Sequence, residues 1–346
     1  MRVENVNFAG FWEKYASRDK FLKCSIELTY SCNLKCRHCY IPSNEPPGLT
    51  SPNILQYYIA ELLEKGVLFF TFTGGEPMLY PAWEDIIRFT RGKGGILTFL
   101  SNGTLIQEKE ADILRETVNR VEMSFLGGKE KTHDYFTGVP GSFGRVKNAV
   151  KILRHKSVPT TIKYILLKGN EKEFEEIKKF SLDLGCKFIY TYSLFPKWNN
   201  ADNKSLRLSP KEILQFMKSI DTAPLVCRDE GYTPMGNTPF YCMAGKKSFT
   251  LTPSGEVKPC PNLPYPSFPI GKEGVYEAFK RLSSWVKGFH PSSHYPCSAC
   301  KLFPYCNKCP ADAWLYNGNF ESCVPWLKEL ADYFYKEAHA GKRNSL

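Results

Sequence analysis

Alternation between strand-like and helix-like segments most constrains how this chain can fold. Apolar strand-like runs alternate with segments whose apolar residues recur at helical spacing. The pattern predicts strands at 24–29, 67–73, 96–101, 121–125, 160–167 and 188–192, and helices at 51–65, 83–91, 107–116, 143–156 and 171–184. Strands joined by crossover helices run parallel, so we expect an α/β fold whose sheet curls into a barrel or half-barrel. Such folds carry their chemistry at the carboxyl ends of the strands.

Three cysteines lie within eight residues, soon after the first predicted strand: Cys32, Cys36 and Cys39. Structural zinc normally has four closed ligands, whereas three thiolates can hold three irons of a cubane cluster and leave the fourth iron open. The open iron is a position where a substrate could bind. The alternatives are three buried core cysteines or a partial zinc knuckle.

This C-x3-C-x2-C spacing, with His38 before the last cysteine and Tyr40 after it, resembles the radical S-adenosylmethionine (SAM) superfamily. The resemblance implies a [4Fe-4S] cluster whose open iron chelates the amino and carboxylate groups of SAM. It implies reductive cleavage of the C5′–S bond to a 5′-deoxyadenosyl radical, which takes a hydrogen atom from an unactivated carbon. An electron donor such as flavodoxin or ferredoxin is implied as a partner.

The second predicted strand is followed by Gly74, Gly75, Glu76 and Pro77. Two residues without Cβ let the backbone pass close to a ligand, and a glutamate supplies an acceptor for an ammonium group. By itself a Gly-Gly pair is only a turn signal. One β unit after the cysteines, the four residues resemble the GGEP motif of the family, which implies contact with the SAM amino group.

Ser101 and Asn102 lie at the end of the third predicted strand, and Ser124 lies on the fourth. From position alone, Ser101 and Asn102 could equally be turn residues. The resemblance implies that these residues contact the ribose or methionine portion of SAM. The family often has Ser-x-Asp-Gly on the fourth strand, but here the sequence reads Ser-Phe-Leu-Gly, without the aspartate. Lys163 on the fifth strand is a candidate for the SAM carboxylate, although a solvated lysine is the commoner case.

His133 and Asp134 are adjacent titratable residues that the pattern places in a loop. Neighbouring side chains on a loop rarely face one another, so we expect structural roles for both residues.

A loose polar stretch from 197 to 224 separates this region from a cysteine-rich one. We expect an N-terminal arm at 1–20, the barrel at 21–200, a bridging region at 201–226 with a helix at 209–220, and a cysteine-rich domain with a C-terminal helix at 227–346.

Eight of the 13 cysteines lie in this last region: Cys227, Cys242, Cys260, Cys297, Cys300, Cys306, Cys309 and Cys323. Eight thiolates divide into two four-ligand clusters. The alternative, a zinc ribbon, usually has about 15–20 residues between its knuckles, but only five separate Cys300 from Cys306. The series resembles the SPASM extension of radical SAM enzymes, except that two residues rather than three precede Cys309. The resemblance implies two auxiliary clusters and three [4Fe-4S] clusters in total.

The interleaved SPASM pattern implies how these cysteines divide. Cys323 would join Cys297, Cys300 and Cys306, whereas Cys309 would cross over to Cys242 and Cys260. Cys227 is the candidate fourth ligand of the second set, with an open iron as the alternative. Cys24 and Cys186 lie in apolar strand contexts and are expected to be inert core thiols.

Composition limits the compartment and the partners. The 13 cysteines are an odd number in a chain of 346 residues without an export signal, which favours metal ligation over disulfides. No segment approaches the ~18 apolar residues of a membrane span, so we expect a cytoplasmic protein without membrane contact. The formal charge of +11 comes from dispersed basic residues without aromatic interleaving, and we expect no nucleic acid partner.

SPASM enzymes most often act on peptides or protein side chains, so the resemblance implies oxidative maturation of a ribosomally made peptide, for example by crosslink formation. The alternatives are tetrapyrrole processing, as in haem-pathway decarboxylases, and a non-catalytic electron-transfer protein, for which a SAM cradle would be superfluous. Sulfatase-maturing relatives carry an acidic base where this chain has Pro261. Residues 1–21 are too few for an independent leader-recognition domain, so we expect a separate recognition protein.

Overall fold

The computed structural model describes residues 22–41, 48–199, 203–222 and 238–340. Its strands are β1 (Lys23–Thr29), β2 (Phe69–Gly74), β3 (Ile96–Ser101), β4 (Arg120–Phe125), β5 (Thr160–Ile165), β6 (Lys187–Thr191), β7 (Ser248–Leu251), β8 (Glu256–Lys258) and β9 (Phe268–Pro269). Its α-helices are α1 (Pro52–Glu64), α2 (Trp83–Gly92), α3 (Glu108–Thr117), α4 (Glu130–Thr137), α5 (Ser142–His155), α6 (Phe174–Asp183), α7 (Pro210–Ser219), α8 (Val275–Lys287), α9 (Pro310–Asn317) and α10 (Pro325–Ala340).

The strands form one sheet in the order β6-β5-β4-β3-β2-β1-β7-β8-β9. Strands β1 to β6 run parallel, which confirms the predicted α/β fold. Strand β7 pairs in parallel with β1, and β8 and β9 follow as antiparallel neighbours. The sheet therefore continues from the first cysteine region into the second, which the predicted strand pattern did not reveal.

Alternation along the strands separates an apolar side from a polar side. On β1, Cys24 and Ile26 lie in the core with apolar helix residues, whereas Lys23 and Ser25 line an internal cavity. Successive strand side chains point to opposite faces, so one side packs the helices and the other is free to bind a ligand. Cys24 and Cys186 are both buried in the core, as predicted.

Between residues 51 and 220 the α-helices follow the predicted segments, with one addition. Helix α1 begins at Pro52, and Leu55, Ile59 and Leu62 form its buried stripe. The additional helix is α4, which contains His133 and Asp134, so the loop predicted for these residues is wrong. No helix in the described ranges is both long and apolar enough to span a membrane.

Candidate functional site

A cavity of about 630 Å³ lies on the polar side of the sheet and extends to the strand ends. The residues predicted to bind the first cluster and SAM that line it are Cys32, Cys36, Cys39, Tyr40, Gly74, Gly75, Ser101, Asn102 and Ser124. The ends of β2, β3 and β4 and the loops after β1, β2 and β3 supply them. The fold thus brings together residues that are distant in sequence. Glu76 and Pro77 do not line the cavity.

Helix α4 anchors the cysteine loop. The backbone N–H groups of Lys35 and Arg37 donate to the carbonyl oxygens of Thr137 and Phe136, both at 2.9 Å. The guanidinium of Arg37 donates to the carbonyl of Tyr135 and stacks on its ring at 4.2 Å. These contacts hold the loop between Cys32 and Cys39 against the end of the sheet.

The three thiols are crowded and partly buried. Burial raises the pKa of Cys32 to about 11, and the nearby Glu76 and Cys39 add to the rise. Burial also raises the pKa of Cys36, with Cys39 and Cys32 as further causes. Thiolates at these positions need a compensating cation, because burial and like charge both disfavour the ionised form. A metal cluster supplies that compensation, so the donor set fits one.

Gly74 and Gly75 permit a close approach between the ends of β1 and β2. Gly74 has a φ of +132°, and a Cβ at Gly75 would lie 2.3 Å from the carbonyl oxygen of Ser31. The N–H of Gly75 donates to the carbonyl of Thr29 at 2.8 Å. The glycines therefore pack against the backbone that leads into the cysteine loop while they also line the cavity.

Glu76 is completely buried, directly behind the cavity-lining residues Ser101 and Asn102. Its carboxylate accepts hydrogen bonds from the Ser101 hydroxyl (2.9 and 3.0 Å), the Asn102 N–H (2.8 Å) and the Met78 N–H (3.3 Å). Burial raises the pKa of Glu76 to about 7, against these hydrogen bonds. Its contacts fix the ends of β2 and β3; a direct hydrogen bond to SAM stays a prediction. Pro77 begins a short 3-10 helix for which Glu76 is the N-cap.

Asn102 connects this region to the first cysteine. Its side-chain amide donates to Asn33 Oδ1 at 2.8 Å and lies 3.8 Å from Cys32 Sγ. Thr104 donates to Asn102 Oδ1 and accepts from Asn33. The sequence analysis did not single out Asn33, although its position beside Cys32 placed it in the same loop.

The part of the cavity lining that comes from β4 and β5 is charged. Glu122 and Ser124 on β4 and Lys163 on β5 all line it, and Lys163 Nζ lies 3.8 Å from Glu122. Burial lowers the pKa of Lys23, a shift that Glu122 opposes. Elsewhere in the lining, the ring of Tyr40 packs against the ring of Trp198, with the ring centroids 5.4 Å apart. The charged groups offer partners to the polar ends of a ligand such as SAM.

The C-terminal cysteines divide into two groups. Burial raises the pKa of Cys260 to about 11, with Cys242 among the further causes. Burial also raises the pKa of Cys309, with Asp312 and Cys260 as further causes. Cys260 thus lies near both Cys242 and Cys309, and a cluster shared by the three stays a prediction. Pro261 and Asn262, directly after Cys260, line the large cavity together with Cys32 and Cys39.

The second group surrounds its own cavity of about 110 Å³, which Cys297, Cys300, Cys306 and Cys323 all line. Burial raises the pKa of Cys306 to about 12, and the other three thiols contribute. All 12 cysteines in the described ranges are free thiols. In these ranges no three His, Cys, Asp or Glu side chains converge as ligands of a single ion. A cubane does not require that convergence, because each thiolate binds a different iron.

The segment that contains the cysteine loop matches a known protein family. Residues 26–181 match the model of the Radical SAM superfamily. This segment is therefore a Radical SAM domain. The match begins on β1 and includes the first three cysteines, the Gly-Gly turn and the residues of β3 and β4 that line the large cavity.

Curated proteins that are similar to this chain over most of its length include a bacteriocin biosynthesis protein and a heme synthase. The antilisterial bacteriocin subtilosin biosynthesis protein AlbA of Bacillus subtilis (strain 168) is 27% identical over 305 residues, which are 83% of this chain and 67% of AlbA. The AdoMet-dependent heme synthase of Methanosarcina barkeri is 24% identical over 331 residues, which are 87% of this chain and 94% of that protein.

The fold also matches a solved structure, that of Streptococcus suis SuiB bound to the precursor peptide SuiA. The TM-score is 0.72 at 15% identity, and the match covers 92% of this chain and 78% of SuiB. At this identity, the likeness shows a shared fold. Cys227 lies outside the described residues, and its role as a cluster ligand stays a prediction.

Proposed function

We propose that this radical SAM protein cleaves SAM reductively and oxidatively modifies a ribosomally made peptide, for example by forming a crosslink. The observation that carries the proposal is the shared lining of the large cavity. Cys32 and Cys39 line it on one side, and Pro261 and Asn262, which follow Cys260, line it on another. A substrate in this cavity lies beside both cysteine regions, so its oxidation can be coupled to both.

Different residues of the chain would bind the cluster and SAM. Cys32, Cys36 and Cys39 would hold a [4Fe-4S] cluster, which supplies the electron for SAM cleavage when it is bound. Gly74 and Gly75 let the backbone approach SAM, and Asn102 and Ser124 present polar groups to it. Further candidate contacts are Tyr40, which borders the same space, and Ser101, whose hydroxyl is shared with Glu76.

The C-terminal cysteines would hold two auxiliary [4Fe-4S] clusters. Cys297, Cys300, Cys306 and Cys323 supply four thiolates for one, and Cys242, Cys260 and Cys309 supply three for the other. Cys227 or an open iron completes the second. Reconstituted protein would then bind about twelve irons, four for each cubane.

Similarity to proteins of peptide metabolism supports the choice of substrate. AlbA acts in bacteriocin biosynthesis, and SuiB was crystallised with a precursor peptide. A separate leader-recognition protein and an electron donor such as flavodoxin or ferredoxin belong to the same proposal. So does a cytoplasmic location.

The test is anaerobic co-expression with short peptides encoded beside the gene, followed by mass spectrometry of the peptides and detection of 5′-deoxyadenosine. We expect a peptide mass lowered by the hydrogens lost in oxidation. Cys36→Ala should abolish both products, whereas Cys186→Ala, a core cysteine, should leave them unchanged. A colourless, zinc-loaded protein, or SAM cleavage that survives Cys36→Ala, would overturn the proposal.

Tetrapyrrole processing is the second candidate, and the match over 94% of the Methanosarcina heme synthase favours it. Lys23 and Lys163 in the cavity could pair with carboxylate side chains of such a substrate. The two candidates separate in one assay, in which reconstituted protein receives SAM and either peptide or tetrapyrrole. Loss of carbon dioxide from the tetrapyrrole would favour the second candidate.

A further inference from the structure

Two lysines line the small cavity among Cys297, Cys300, Cys306 and Cys323, and they differ in their exposure to water. Lys308 is only 3% exposed, whereas Lys328 is exposed on helix α10. A charge in the dry interior acts on its neighbours more strongly than one that solvent screens. Lys308 is therefore the cation whose charge the four thiols experience most.

Lys308 contacts two of the four sulfur atoms. Its Nζ donates to Cys297 Sγ at 3.5 Å, and its backbone N–H donates to the Cys306 thiol. Its Nζ also donates to the carbonyl of Glu321 at 3.0 Å and lies 4.7 Å from the centroid of the Tyr295 ring. These contacts fix the ammonium at the edge of the cavity.

The buried ammonium requires negative charge nearby. A buried cation is costly unless it is paired. Of the residues that the structure describes, no carboxylate forms an ion pair with Lys308, and a carbonyl oxygen and an aromatic ring carry only partial charge. Thiolates of the four cysteines are the negative groups that its ammonium faces.

We propose that Lys308 raises the reduction potential of the auxiliary cluster bound by these four cysteines. The inference rests on the proposed function, which places a [4Fe-4S] cluster there. A hydrogen bond to a ligand sulfur and a fixed positive charge both stabilise the reduced form, which carries more negative charge. Lys308 is a positioning and tuning residue that makes this cluster a better electron acceptor.

The test compares Lys308→Met with Lys328→Met in the full-length, anaerobically reconstituted protein. Reduction potentials are measured by redox titration followed by electron paramagnetic resonance. The signal of this cluster is the one that Cys323→Ala removes. We expect a lower potential in Lys308→Met and a much smaller change in Lys328→Met, because solvent screens the second charge. Equal shifts in the two variants, or a higher potential in Lys308→Met, would overturn the proposal.

Lys308→Arg is the second test, for use if the methionine variant fails to assemble the cluster. Arginine keeps the charge and the donors, so iron content and potential should stay near those of the unmodified protein. Loss of the cluster from both variants would overturn the assigned role of the charge. If Cys323→Ala removes no iron, the four cysteines hold no cluster, and that result contradicts the proposed function rather than the effect of Lys308.

Discussion

The ammonium of Lys258 lies 2.8 Å from a carboxylate oxygen of Glu27, and both side chains are almost completely buried. The Tyr30 hydroxyl donates to the same oxygen at 2.8 Å, and Lys258 Nζ also donates to the Pro261 carbonyl at 3.2 Å. Its ammonium lies 4.3 Å from the centroid of the Trp198 ring. The pair thus joins β1, which leads to the first cysteine loop, to β8, which leads to Cys260.

Replacing Lys258 with methionine should destabilise the protein by about 3–5 kcal/mol, because it leaves the Glu27 carboxylate buried without its cation. The double variant Glu27→Gln/Lys258→Met should lose less stability, since no isolated charge remains. Unfolding by urea measures both. Lys336→Met, which breaks the exposed pair with Asp332, is the control and should change little. A single variant no less stable than the double variant would contradict the prediction.

Glu76→Ala should cost about 1–3 kcal/mol of stability, because the Ser101 hydroxyl and the Asn102 N–H lose their buried acceptor. We also expect weaker SAM binding, measured calorimetrically on reconstituted protein, since Asn102 lines the large cavity in which we propose that SAM binds. Ser101→Ala keeps the bond from the Asn102 N–H to Glu76, so its effect should be smaller. Unchanged stability with lost SAM affinity would instead indicate that Glu76 contacts SAM directly.

Cys306→Ala and Cys309→Ala should damage different clusters, although only two residues separate them. Cys306 neighbours Cys297, Cys300 and Cys323, whereas Cys309 neighbours Cys260. Electron paramagnetic resonance should show loss of the signal sensitive to Cys323→Ala in the first variant and of the signal sensitive to Cys260→Ala in the second. The same signal lost from both variants would disprove the division.

Ionisation of Asp134 should make the stability of the folded protein depend on pH in acidic solution. Burial alone would raise the pKa of Asp134, but hydrogen bonds from Ser142, Phe143 and Gly141 lower it overall. A lowered pKa gives stability that is fully present above the unfolded value near ~3.9 and is lost as pH falls through the folded value. The melting temperatures of wild type and Asp134→Asn should therefore differ at pH 7, and the difference should shrink as the pH falls below ~3.9. A constant difference would contradict this reading.

The order of β1 to β6 and the cysteine triple could be predicted from sequence, because both depend on local pattern. Apolar periodicity identifies each strand or helix from its own residues, without knowledge of the rest of the fold. Three thiols within eight residues necessarily share one loop. Helix α4 was missed because its apolar stripe is short: only His133, Phe136 and Thr137 are buried along it.

The sequence by itself determined which residue types can bind clusters and SAM, and at which strand ends they lie. Only the tertiary structure decided that Lys308 faces Cys297, that Lys258 pairs with Glu27, and that Glu76 accepts the N–H of Asn102. Each contact joins different elements of the fold. Such contacts depend on how β7 and β8 extend the sheet and how the loops close, and no periodicity along the chain encodes those distances.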